Sequence, residues 1–476
     1  MNIALINICI RPYMDKPNFP IGLAYVATAL EKAGYGFDLI DIDRHRYTDD
    51  QVAELLRAKD YDVIALGTLV SGYKFAKSLA ALARSTNPGA LIVAGNSVAS
   101  SISEFLLEQT EVDVALKGEG ETAFLDLLDA RRSGRPLDEV KGIVFRQDGR
   151  YFDTGFAAPL PIESVGYPNW ELFDVRYYIE KSLQDVPEPY PVPREEIRAF
   201  VVNTARGCPF RCTFCYHVFQ YTKYRYRSPE SILEEIALLQ ERYGVNYINF
   251  FDELTFFSKA HIEAFVDAVL ASGLTFYWNA DIRSDLFGEG DEALLAKVKA
   301  AGCQGFGYSL ESGSPEILKK MGKQLTVGQF AAQKLALDRA GIKTFTSIVI
   351  GYPEETVETL AQTFDLCYEL NIFPSTGYLL PQPGTPMFDA AREKGYADDL
   401  EAYLMKMGDR QDLRYNLTGM TDEVLVGEVR RHLQRISDKL GLGLGGDKLI
   451  KTFTFITSQE EADNAPDTCL AAVHNG

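Results

Sequence analysis

The sequence predicts an α/β protein, with a doubly wound parallel sheet at its N-terminus followed by a partial (β/α)6 barrel and a helical tail. Three observations predict it. Short apolar runs alternate with helical periodicity over residues 1–150, and again over 199–390. Between them, residues 151–198 are rich in proline, with Pro187, Pro189, Pro191 and Pro193 at alternate positions. Such spacing favours extended chain over helix. From 391 to 476 the strand pattern stops and helix takes over, as in Thr421–Leu440.

In the first series Ile3–Ile8, Phe37–Ile42, Val63–Leu66, Leu91–Ala94 and Val112–Leu116 read as strands. Helical stretches such as Ile21–Lys32 and Asp50–Ala58 lie between them. The alternation means parallel strands with right-handed crossovers. Ligands then bind beyond the strand C-termini, at Cys9–Phe19, Thr68–Tyr73 and Gly95–Ser100. Ile143–Tyr151 reads as a hairpin turning at Asp148-Gly149. The aromatics Tyr167, Trp170, Phe173, Tyr177 and Tyr178 predict a linker that packs down. In the second series the strands are Phe200–Asn203, Tyr247–Phe251, Phe276–Ala280, Gly305–Ser309, Thr346–Ile350 and Thr376–Leu379. Six units are too few for a full eightfold barrel, which typically takes ~250 residues.

Composition narrows the function. The formal net charge is −19. A phosphate backbone wants a basic surface, so nucleic acid is a poor partner and an anionic membrane surface is another. An acidic surface suits a cationic small molecule, or serves solubility alone. No apolar run reaches the length of a bilayer span, and Met1–Asn7 lacks a basic leader, so the expected location is cytoplasmic.

Seven cysteines suit a reducing compartment. Three of them, Cys208, Cys212 and Cys215, form a Cys-x3-Cys-x2-Cys array just past the Phe200–Asn203 strand. Soft thiolates favour zinc, copper(I) or iron–sulfur clusters. A structural zinc would want a fourth ligand, and His217 could supply it. A [4Fe-4S] cube normally takes four cysteines, so three would leave one iron open.

The array resembles the signature of the radical S-adenosylmethionine (SAM) superfamily, with Phe214 as the aromatic before the third cysteine. The resemblance implies a [4Fe-4S] cluster on Cys208, Cys212 and Cys215, with SAM on the open iron. It also implies roles at strand ends. Asp252 and Glu253 would take the SAM amino group and Arg283 its carboxylate. Ser309, Glu311 and Ser312 would face the ribose and carboxylate, and Ile350-Gly351 the adenine. Gln382–Pro386 resembles the turn after the last barrel strand. The first 150 residues resemble the cobalamin-binding domain fused to many such enzymes, at Pro20–Ala24, Asp41, Ala94–Ser97 and Lys117–Glu121. No His occupies the loop after the first strand, and Asp43-Arg-His45 follows the second, so His45 is read as a surface residue and cobalamin stays open.

Two enzyme readings follow, both drawing electrons from a flavodoxin, a ferredoxin or a partner reductase. One is cobalamin-dependent C-methylation. The other, favoured at this stage, is radical dehydration of a vicinal diol, as in the aminoglycoside diol-dehydratases of antibiotic biosynthesis that act on sugars such as paromamine. Tyr216 and His217 put a phenol and an imidazole beside Cys215 for proton transfer, or pack there. A SAM-binding iron–sulfur sensor without turnover is the non-enzyme reading.

Overall fold

The computed structural model describes residues 1–12, 14, 17–182 and 186–451. The strands are β1 (Ile3–Asn7), β2 (Asp38–Asp41), β3 (Val63–Gly67), β4 (Leu91–Gly95), β5 (Val114–Leu116), β6 (Ile143–Gln147) and β7 (Arg150–Asp153) in the N-terminal half. They make one seven-stranded sheet in the order β2-β1-β3-β4-β5-β6-β7. Its first five strands run parallel, with helices on both faces. The order reverses between β1 and β3, the switch point where such sheets bind ligands. β6 and β7 extend the sheet antiparallel. Asp148 and Gly149 both hold positive φ, 50° and 74°, as the Asp-Gly turn requires.

The second half continues with β8 (Ala199–Val202), β9 (Ala205–Arg206), β10 (Arg225–Tyr226), β11 (Tyr247–Phe250), β12 (Tyr277–Asp281), β13 (Cys303–Gly307), β14 (Lys343–Phe345), β15 (Ser347–Ile350) and β16 (Ser375–Tyr378). β8, β11, β12, β13 and β14 pair in parallel, and β15 pairs with β16. The strand expected over Thr346–Ile350 is one of two pieces: the chain leaves β13 after Phe345 and turns to β16 from Ser347. A bridge from Glu311 to Ile348 spans the joint. Strand alternation sends Phe200, Ile248, Phe250, Trp278 and Phe306 outward into the helices, where they form the largest core cluster.

The proline-rich segment closes one end of the barrel. Val186 and Ile197 pack on Ala199 and Tyr247, and Lys343 Nζ donates to the carbonyl of Pro187 at 3.0 Å. Residues beyond 390 pack in two places. The helix Asp422–Leu440 puts Leu425, Val429, Leu433 and Ile436 on one stripe, and that stripe buries against the outer helix Val357–Glu369. Residues 400–417 instead cross to the N-terminal half, where Tyr403, Leu404, Met407 and Tyr415 pack in one cluster with Val70 and Tyr73. No helix among the described residues is long and apolar enough to cross a membrane.

Candidate active site

The cysteine loop is a long excursion between two short paired strands. β9 and β10 hold its base antiparallel, with Arg206 opposite Arg225. Cys215 N–H donates to Cys212 O at 3.1 Å, a turn that brings these two thiols to one side. Thr213 pins the loop from below. Its N–H donates to Met321 O at 2.9 Å, and its hydroxyl donates to Lys320 O at 3.1 Å and pairs with the Tyr352 hydroxyl. Phe214 meets Tyr352 edge-on at 6.3 Å. Burial raises the Cys208 and Cys212 thiols, and burial plus the neighbouring sulfurs pushes Cys215 up to about 12. Three such thiols become thiolates only with positive charge among them, which a metal centre supplies. Among the described residues no three His, Cys, Asp or Glu side chains converge on a point for a single ion. Cys208 and Cys212 lie close enough to Cys215 to raise its thiol. A cube would bind each thiolate through a different iron.

The strand ends around the loop carry the other candidate residues. Asp252 is consumed by the turn between β8 and β9: it accepts from Thr204 N at 2.8 Å, Ala205 N at 3.0 Å, Thr204 Oγ1 at 2.7 Å and Asn203 Nδ2 at 3.1 Å. Glu253 accepts from the Gly207 N–H at 3.3 Å, and burial pushes it up to about 7. Of the acidic pair, Glu253 is the one left for a cation. Arg283 forks onto Asp285 at 2.9 and 3.0 Å, donates to the carbonyls of Lys323 and Gln324, and stacks on Phe210 at 3.8 Å. Ser309 pairs with Ser347 at 2.6 Å. Ser312 is buried against Thr363 at 3.1 Å, a packing contact. Glu311 holds φ at 63°, rare for a residue with a side chain, and such strain recurs at functional sites. Its carboxylate pairs with Lys323 at 2.8 Å. Lys323 also lies close enough to favour the Cys208 and Cys212 thiolates, and it was not singled out from sequence. Gly351, after Ile350, donates its N–H to buried Glu355, so that N–H is already spoken for.

Residues 202–367 match the model of the Radical SAM superfamily, and residues 15–128 that of the B12 binding domain. The chain pairs a B12-binding domain with a radical SAM domain. An uncharacterized methyltransferase of Pyrococcus horikoshii is 27% identical over 379 residues, 78% of either chain. The anaerobic magnesium-protoporphyrin IX monomethyl ester cyclase of Cereibacter sphaeroides is 27% identical over 394 residues, covering 81% of this chain and 62% of its own length. The cytidylyl-2-hydroxyethylphosphonate methyltransferase of Streptomyces wedmorensis is 23% identical over 475 residues, 89% of this chain and 87% of its own. Among solved structures, the radical SAM methyltransferase TsrM of Kitasatospora setae aligns with TM-score 0.62 at 19% identity, over 82% of this chain and 75% of that one. The cobalamin-dependent radical SAM enzyme OxsB aligns with TM-score 0.66 at 17% identity, over 98% of this chain and 65% of that one. These likenesses show a shared two-domain fold.

A radical SAM domain implies a [4Fe-4S] cluster and SAM. The B12-binding domain meets the radical SAM domain through buried charge. Arg206, two residues before Cys208, pairs with Glu119 and Glu121 of the Lys117–Glu121 segment, and Arg225 pairs with Glu119. Arg206 also lies over the Tyr25 ring at 4.7 Å. Tyr216 packs against the turn after β16, where a Cβ on Gly384 would meet its ring at 2.9 Å, and Ser100 of the N-terminal half lies near its hydroxyl. Burial raises its phenol to about 12. His217 is pushed down to about 4 by burial and by Arg211, and its buried Nδ1 has no partner among the described residues.

Loops at the B12-type crevice bond to one another. Arg46 reaches from beyond β2 to Cys9 Sγ at 2.7 Å, Asp43 at 3.0 Å and Met14 O at 2.9 Å. Gly72 passes so near Thr68 that a Cβ would meet its Oγ1 at 2.4 Å. Val70 N–H donates to Ser97 Oγ at 2.8 Å and Val98 N–H to Thr68 O at 3.2 Å. His45 is exposed and stacked on Tyr47 at 4.7 Å, away from these loops. These residues do not fit a cobalamin inserted between the loops on a protein imidazole. Exposed Leu69 and Asn96 mark the edge left for a corrin without one.

Proposed function

We propose that the protein is a radical SAM enzyme that abstracts hydrogen from a small polar molecule held in the barrel. The observation that carries it is the three-thiol loop opening beside an under-used carboxylate, Glu253, at the strand ends. Cys208, Cys212 and Cys215 would hold the cluster, Glu253 the SAM ammonium, and Lys323 with Glu311 the polar face of SAM opposite. When bound, cluster and SAM supply an electron and a 5′-deoxyadenosyl radical. Asp252 keeps the β8–β9 turn in shape, and Arg283 ties β12 to the Lys323 loop.

For the fate of the substrate radical, the relatives favour methyl transfer, the activity in several of their names, and the B12-binding domain agrees with it. A specific observation favours a second reading, dehydration of a vicinal diol. The crevice loops bond to one another and carry no imidazole, while half-buried Tyr216 stands beside the third cysteine. In that reading the abstracted carbon's hydroxyl gives up its proton, and the neighbouring hydroxyl takes one and leaves as water. A further electron from a flavodoxin- or ferredoxin-type donor, with a proton from solvent, completes a deoxy ketone. Anaerobic reconstitution with methyl-labelled SAM and aminocyclitol glycosides separates the outcomes. Label in the product supports methylation, loss of water supports dehydration, and no 5′-deoxyadenosine under reducing conditions overturns the enzyme reading.

A further inference from the structure

Inside the barrel lies a cavity of about 440 Å³. That volume suits a small ligand. Its polar wall comes from alternate residues of adjacent strands: Asn249 on β11, then Asn279 and Asp281 on β12. Phe251 and Phe345 form apolar walls. Asp281 is the only charged side chain among the described lining residues. Its carboxylate has no hydrogen-bond partner among the described residues. It carries accessible surface although protein surrounds it, as a group facing a cavity does. The room is built in, because a Cβ on Gly307 would meet Asp281 Oδ1 at 2.0 Å. Asn249 is 7% exposed, and neither its amide nitrogen nor its oxygen has a partner. Buried polar groups are ordinarily hydrogen-bonded, so the unpaired Asn249 amide, facing the same cavity as the exposed Asp281 carboxylate, points to a missing ligand. A lone carboxylate between aromatic walls selects a protonated amine: the charge pairs and the ring faces attract the cation. Phosphate or carboxylate ligands would meet a like charge, with no cation among the described lining residues to offset it.

We propose that this cavity is the substrate pocket and that Asp281 binds a protonated amino group, with Asn249 and Asn279 taking neighbouring hydroxyls. The inference rests on the radical-enzyme reading and adds the substrate class, a polyhydroxylated amine. The test uses the full chain, reconstituted anaerobically with SAM bound, and three calorimetric probes: glucosamine, glucose and glucose 6-phosphate. Glucosamine should bind best and the phosphate worst. Asp281→Asn should weaken glucosamine roughly 10- to 100-fold, the range for a lost charged hydrogen bond, with cluster absorbance and SAM affinity unchanged. Equal affinity for glucosamine and glucose in the unmodified protein would overturn the assignment, whatever the variant does. So would an Asp281→Asn protein that binds glucosamine as before. Formation of 5′-deoxyadenosine is scored separately: amine preference without it upholds the pocket and refutes the radical reading, and the reverse result refutes the pocket alone.

Discussion

Two parallel sheets in this chain end in ligand-type loops, and they treat their polar groups in opposite ways. At the N-terminal sheet the loops mostly satisfy one another, with Arg46 on Cys9 and Asp43, Val70 on Ser97 and Val98 on Thr68, although the Thr68 hydroxyl has no partner among the described residues. At the barrel, buried Asn249, Thr255 and Glu355 carry polar atoms with no partner among the described residues, and Glu253 and Asp281 stand exposed beside them. Burying a polar group without a partner costs free energy, so an end that leaves several unpaired is one shaped for ligands. The fold alone therefore does not locate the chemistry. The N-terminal sheet contributes more visibly by docking, through Glu119 and Glu121 on Arg206, than through its own crevice.

The sharpest break of this contrast is at the thiols. Replacing Cys208, Cys212 or Cys215 by Ala should abolish the iron–sulfur absorbance and all 5′-deoxyadenosine. Replacing Cys9, buried under Arg46, should leave both intact. If the Cys9 variant lost the cluster, the two ends would not be chemically distinct.

Next in size is the docking charge. Arg206→Met leaves buried Glu121 without its cation and buried Glu119 with Arg225 alone. Breaking a buried pair in this way typically costs about 3–5 kcal/mol. Thermal unfolding should show that loss, and cluster retention should fall with it, because β9 leads into Cys208. A neutral result would mean that the halves hold together without this contact.

Some of this was legible in the sequence and some was not. The cysteine spacing, the strand series and the Asp-Gly hairpin depend on neighbours within a few residues, which a sequence displays. The Arg206–Glu121 pair joins positions 85 apart, and only the fold brings them together. Asp252 and Glu253 looked equivalent as an acidic pair, yet strand pleating turns one into the β8–β9 turn and leaves the other beside Gly207. Lys323 sits in a loop after a short helix, with no motif to flag it. The break at Thr346 was hidden because Lys343–Ile350 reads as one apolar extended run.

A smaller effect separates Glu253 from Asp252. Glu253→Gln should weaken SAM roughly 10- to 100-fold while the fold holds, since the lost contact is one charged hydrogen bond. Asp252→Asn should instead lower the unfolding temperature, because Asp252 accepts four hydrogen bonds from the β8–β9 turn. Equal SAM defects and unchanged stability in both variants would erase the distinction.

The smallest test asks whether unpaired acids at the barrel cost stability, as the contrast requires. One Glu355 oxygen accepts from Gly351 N–H and the other is buried without a partner. Burial pushes the carboxyl from its ordinary 4.5 up to about 7. A folded-state value above the unfolded one means the native protein holds the extra proton between those pH values. Stability from this group is therefore full below about pH 4.5, falls as pH rises toward 7, and is flat above. Glu355→Gln keeps an acceptor for Gly351 and removes the titration. The variant should gain over the parent as pH rises from 5 to 8, by at most about 3 kcal/mol. A gap in unfolding temperature that stays constant across that range would mean the carboxyl is ionised and paired in the native state, and the barrel end would then be as well satisfied as the N-terminal one.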